Sequence, residues 1–215
     1  MTGIFCIFKP KGVSSNRILQ QIKRSQNISK IGHAGTLDPL ASGILVVACG
    51  REFTKKLSES VKKEKEYIAE IKLGATSSTF DEEGEKKISN IKSIPIREEI
   101  LFVLKNFIGI IDQTPPIYSA VKVKGRSAYK YARSGEHISL TSRKVEIKSI
   151  ELISYEWPIL KIKVITGPGV YIRSLANDIG NSLKVGGYLL DLTRTRVGDF
   201  TEDMCIPISK LISND

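Results

Sequence analysis

The chain has 215 residues, enough for a real hydrophobic core in one large domain or two small ones, and no internal repeat. A formal charge of +10 with ordinary apolar and charged fractions describes a soluble protein with an anionic partner: nucleic acid first, phosphorylated metabolites second, acidic membrane third. Cys6, Cys49 and Cys205 are too far apart for a disulfide scaffold or a zinc site, and only His33 and His137 exist, which excludes a multi-histidine metal centre.

No apolar run approaches membrane-spanning length and the N-terminus carries no signal pattern, so the expected location is the cytoplasm. The chemistry is left to carboxylate, tyrosine, lysine or hydroxyl groups, with no cofactor called for.

Along the chain, Gly3 to Phe8 reads as a short strand stopped by the turn Lys9-Pro10-Lys11-Gly12. Ser14 or Ser15 can cap a helix running to about Gln26, with Ile18, Leu19 and Ile22 at helical spacing. Lys30 to Gly43 then packs three glycines, His33 and the step Asp38-Pro39 between that helix and the apolar run Ile44 to Ala48, a buried strand. Pro39 biases Asp38 away from the α region and holds its carboxylate in one direction. A connection that merely turns is the alternative reading.

Lys65 to Leu73 alternates as a half-buried strand with Tyr67, Ala69, Ile71 and Leu73 on one side. Gly74 to Gly84 reads as a loop. Pro95 to Phe107 reads as an amphipathic helix with Ile96, Ile100, Val103, Leu104 and Phe107 as its stripe. From Ser119 to Gly135 the cations Lys122, Lys124, Arg126, Lys130 and Arg133 stand without an acid and are interleaved with Tyr129 and Tyr131. That mix suits a phosphate backbone with bases nearby, the alternative being a solvated surface.

Val145 to Ile153, Ile159 to Ile165 and Tyr188 to Thr195 read as strands, and Ile172 to Ile179 as a helix ended by Gly180. Helix and strand mix irregularly, so the expected class is α+β with a largely antiparallel mixed sheet flanked by helices and loops.

Several motifs in order carry a resemblance: Lys9-Pro10-Lys11-Gly12-Val13-Ser14-Ser15, Gly32-His33 through Asp38-Pro39-Leu40-Ala41-Ser42-Gly43, and Tyr67 with Leu73-Gly74, Asp81 and Gly84. Pro115-Pro116-Ile117-Tyr118-Ser119-Ala120-Val121-Lys122, Gly169 to Leu175, and Leu192-Thr193-Arg194-Thr195 complete the series. Together they resemble the TruB family of pseudouridine synthases, whose bacterial members act at uridine 55 of tRNA, over nearly the whole chain.

The resemblance implies a pseudouridine-synthase-like fold and a cofactor-free isomerisation in the T arm of tRNA: a uracil is detached from its ribose, rotated and rejoined through carbon. Asp38 is the implied nucleophile, Tyr67 packs on the base and assists proton removal, and Arg173 pairs with Asp38. His33 is implied to brace the stack vacated by an extruded nucleotide, and Tyr171 and Leu192 to line the substrate pocket, with core packing as the alternative for those two. The basic segment over residues 115–145, with Lys122, Arg126 and Arg133, is the expected RNA-binding insert in a single catalytic domain.

Thr193 departs from the family's frequent arginine, Gly50 to Lys55 is one residue longer than the usual form, and the small C-terminal RNA-binding domain of many members is expected to be absent. A monomer is expected. The rival of another class is a non-catalytic RNA-binding or tRNA-folding module in which Asp38 is a turn residue.

Overall fold

The computed structural model describes residues 1–136 and 138–212; His137 and residues 213–215 lie outside the described residues. The N-terminal part runs β1 (Gly3–Lys9), α1 (Ser15–Ser25), β2 (Ile31–Ala34), β3 (Ala41–Cys49), α2 (Arg51–Lys62) and β4 (Lys65–Leu73). The middle runs β5 (Ala75–Ser77), β6 (Lys86–Ile88), α3 (Arg97–Asn106), β7 (Gly109–Gln113), β8 (Lys122–Val123), β9 (Arg126–Ser127) and α4 (Ala128–Arg133). The chain closes with β10 (Arg143–Glu156), β11 (Ile159–Thr166), α5 (Ile172–Ser182), β12 (Gly187–Val197) and two single turns of 3-10 helix. The main sheet has the hydrogen-bonded order β1-β3-β12-β4-β11-β10-β7, with β2 also on β3; β5-β6 and β8-β9 are separate ribbons. The expected α+β class with a mixed, largely antiparallel sheet is what the chain forms.

Two compact units divide the chain. The first holds Met1–Ile68, Ile165–Pro168 and Leu192–Asp215. Its centre is β3, where Ile44 through Cys49 have no solvent exposure. Alternation along this strand sends Leu45, Val47 and Cys49 into a cluster with Ile18, Leu19 and Ile22 of α1, and Ile44, Val46 and Ala48 into another with Ala34, Leu57 and Val197. Burial on both faces explains why the run is apolar without a break. Arg51–Lys62 forms a helix absent from the expected elements; of its apolar residues Phe53, Leu57 and Val61, the first two pack on the cluster of Ala34, Ile44 and Val197.

The second unit holds Ala69–Val164 and Gly169–Asp191. In it β7 pairs antiparallel with β10, Gln113 against Arg143. The loop expected from Gly74 contains β5, which pairs with β6. Helix α3 buries Ile100 and Leu104, but Ile96 precedes it in an extended conformation and is 58% exposed, so it is not part of the packed stripe. Helix α5 continues through Gly180 to Ser182. There the glycine serves packing and not termination, since a Cβ at that position would lie 2.2 Å from the Gly187 backbone nitrogen.

Candidate active site

In the first unit, Asp38 sits in the turn between β2 and β3, half-buried, and the backbone on each side of it is tied down. The Ser15 hydroxyl donates to the Leu37 carbonyl at 2.8 Å and accepts from the Leu37 N–H at 2.9 Å. The Gly12 N–H donates to the Pro39 carbonyl at 2.7 Å, and the Asp38 carbonyl accepts from the Ala41 N–H at 3.1 Å. The Lys-Pro turn and the start of α1 thus form the mould for the Asp38 turn. Ser14 provides the N-cap by accepting from the Arg17 N–H at 3.2 Å, which leaves Ser15 free for Leu37.

Three cationic side chains are buried around this turn. Arg194 of β12, 1% exposed, donates from Nε to the Ile44 carbonyl at 2.7 Å and from Nη2 to the Gly35 carbonyl at 2.8 Å. Lys9, with no exposure, donates from Nζ to the carbonyls of Pro10 at 2.8 Å and Val13 at 2.6 Å. Burial pushes the Lys9 ammonium down to about 8, with the Asp38 carboxylate opposing that shift and Arg194 adding to it. Lys65 of β4 donates to the Lys63 carbonyl at 2.7 Å and is likewise pushed down to about 8, by burial and then by Arg194.

His33, on β2 opposite Val47, has its imidazole held below the usual range by burial and then by Arg194, so it is neutral at pH 7. Its Nδ1 is buried without a hydrogen-bond partner. Tyr67 is 6% exposed on β4, and Leu192 is 8% exposed on β12 in parallel register with Ala41. Two strands after β2 therefore place the remaining first-unit candidates in the same body as Asp38.

The second unit holds the other candidates. Arg173, on α5 and 5% exposed, pairs with Asp81, Nη1 to Oδ2 at 3.3 Å, and donates to the carbonyls of Thr79 at 3.3 Å and Tyr118 at 2.8 Å. Asp81 is fixed in turn by the Thr79 hydroxyl at 2.5 Å and the Glu83 N–H at 3.1 Å. Tyr171 has its backbone held by the Gln113 amide, which accepts from its N–H at 2.8 Å and donates to its carbonyl at 3.1 Å, while the Arg143 guanidinium lies 5.2 Å from its ring centre.

Lys122 and Arg133 are exposed on β8 and α4. Arg126 has local work: it donates to Glu136 at 2.6 Å, to Ser134 at 3.1 Å and to the Lys130 carbonyl at 3.0 Å. Glu136 stands one residue beyond the acid-free stretch, which is why composition alone did not show this pairing. Lys9, Lys65, Gln113 and Arg194 were not singled out as site residues from the sequence. Their one signal was membership in the motifs, for Lys9 and Arg194; nothing in the local pattern marks a lysine or arginine as buried.

In the crystal structure of a Cbf5-Nop10-Gar1 complex, one chain matches 96% of this chain with a TM-score of 0.72 and 31% identity, this chain spanning 52% of it. A family model described as "TruB family pseudouridylate synthase (N terminal domain)" matches residues 23–172, and one described as "tRNA pseudouridylate synthase B C-terminal domain" matches residues 173–214, the stretch of α5, β12 and the closing turns. The fold is that of a pseudouridylate synthase, an isomerase by class. Proteins named tRNA pseudouridine synthase B are 45% identical in Parabacteroides distasonis, over 89% of this chain and 82% of the relative, and 44% identical in Malacoplasma penetrans, over 97% and 90%. The chain belongs to the TruB family of pseudouridylate synthases.

Proposed function

We propose that the protein converts the uridine at position 55 in the T arm of tRNA to pseudouridine, with Asp38 as the nucleophile toward the ribose or the base. The N-glycosidic bond breaks, the uracil turns, and a carbon–carbon bond to the ribose replaces the lost bond as the proton on that carbon leaves and the freed ring nitrogen takes one up. Atoms are conserved and no outside reactant is consumed. The observation that carries the reading is the Asp38 turn, whose backbone is bonded at Leu37 and Pro39 to the Lys-Pro segment while buried cations lie around it. An ordinary connecting turn has no use for such anchoring, whereas a nucleophile must be held in position.

Tyr67 offers the base a flat face and a hydroxyl for the final proton removal. Arg173, by the family resemblance, is the guanidinium partner that keeps Asp38 charged as water is displaced. The target nucleotide must leave its stack, at roughly a few kcal/mol. His33 braces the gap that the extruded nucleotide leaves. Tyr171 and Leu192 line the pocket, and Lys122, Arg126 and Arg133 meet phosphate. The protein acts as a cytoplasmic monomer; among the described residues no helix is long and apolar enough to cross a membrane.

The test is incubation of the protein with an unmodified T-arm hairpin, followed by carbodiimide labelling for pseudouridine. The expected result is conversion by wild type, with Asp38→Asn binding the hairpin normally and converting none. An inert wild type, or full turnover by Asp38→Asn, overturns the reading; the second outcome with binding intact is what a non-catalytic RNA-binding module would give.

A further inference from the structure

We infer that Arg194 is a positioning residue for the Asp38 turn, its buried guanidinium holding the Gly35 carbonyl and setting a fixed positive charge beneath the turn. The inference rests on the proposed role of Asp38. Burying a guanidinium is unfavourable unless its charge is matched, and the usual match is a carboxylate. Among the described residues Arg194 has none: its hydrogen bonds run to the carbonyls of Ile44 and Gly35. It also shares the region with Lys9 and Lys65, both buried, and its charge acts against both of them and against protonation of His33.

A fold selected for stability alone gains little from three buried cations, since apolar groups of similar volume do as well or better in such places. Their use must lie in what they face. An acid whose charge reaches this group is Asp38, which acts on Lys9. Gly35, held by Arg194, is three residues before Asp38, and Gly35 has φ +73° with the Arg194 Nη1 3.2 Å from where its Cβ would be. The turn is therefore shaped around the guanidinium at close range. On the other side, Gly43 admits the Arg194 backbone, which would lie 2.2 Å from a Cβ there. Arg194 is thus gripped by two glycines that bracket Asp38 in sequence. A preorganised charge of this kind favours an anionic working group without reorganising during the reaction.

The test is single-turnover conversion and hairpin affinity for Arg194→Lys and Arg194→Gln, beside wild type and Asp38→Asn. The expected result is a rate about 10²-fold lower for Arg194→Gln, partly recovered by about tenfold in Arg194→Lys, with Kd for the hairpin within about twofold of wild type in both. A folded Arg194→Gln within about threefold of the wild-type rate, no recovery by lysine, or a loss carried by Kd overturns the inference. If neither variant melts cooperatively, Gly35→Ala disturbs the same contact from the turn and is expected to lower the rate at least tenfold at unchanged Kd. An active Gly35→Ala, or its failure to fold as well, also overturns it, the latter by making the contact one of folding. An inactive wild type or an active Asp38→Asn would instead strike at the proposed function, so the two failures are distinct.

Discussion

Arg173 occupies the first turn of α5, where the helix dipole disfavours a cation, and no acid stands in that turn to offset it. Asp81 supplies the compensation from a distant part of the chain, with both side chains nearly inaccessible. Asp81→Ala removes one of the groups that match this buried guanidinium and should lower stability by about 1 to 3 kcal/mol in urea denaturation, and no measurable loss would contradict this account. Lys9 makes a prediction in pH. Its ammonium is held at about 8 in the fold against an ordinary 10.5, so between those values the unfolded chain binds the extra proton and stability attributable to Lys9 rises with pH. Below about 8 both states carry the charge and the full burial penalty is present. The stability difference between wild type and Lys9→Met should grow in favour of wild type from about pH 7.5 to about pH 10, and a constant difference in chemical denaturation would refute it.

At the level of elements, the Asp38 turn is held by partners from the turn after β1, from α1 and from β12. Ser15→Ala removes two hydrogen bonds from the Leu37 backbone while the Ser14 cap survives, so the expected loss is about 1 to 3 kcal/mol together with slower single-turnover conversion. Unchanged stability and rate in Ser15→Ala would show that the clamp is idle. Either serine could cap α1 as far as the sequence tells, because the choice depends on where Leu37 arrives. The periodic elements were legible: Lys65 to Leu73 alternates with burial as expected, and Ile18, Leu19 and Ile22 are the buried side of α1. Helix α2 was not, since Phe53, Leu57 and Val61 among nine polar residues are a weak signal until Ala34 and Ile44 are seen to receive the first two.

For the whole molecule, the first 37 residues carry Lys9, Lys11, Arg17, Lys23, Arg24 and Lys30 and no acid before Asp38, and the total charge is +10. Such an excess makes long-range attraction to RNA strong and screenable. Hairpin affinity should fall steeply, by about tenfold or more between ~50 and ~200 mM salt, and flat binding over that range would exclude phosphate neutralisation as its source.

The linear chain determined the class of fold, the buried course of β3, the order of the motifs and the anionic partner, because periodicity, turn chemistry and net charge are properties of neighbours and sums. It also pointed to Asp38, through the Asp-Pro step among glycines. Only the tertiary structure decided that Arg194 reaches Gly35, that Asp81 holds Arg173 and that Gln113 fixes the Tyr171 backbone. Burial of a charge, and the group that answers it, arise where segments remote in sequence converge, and no local pattern of residues encodes that meeting.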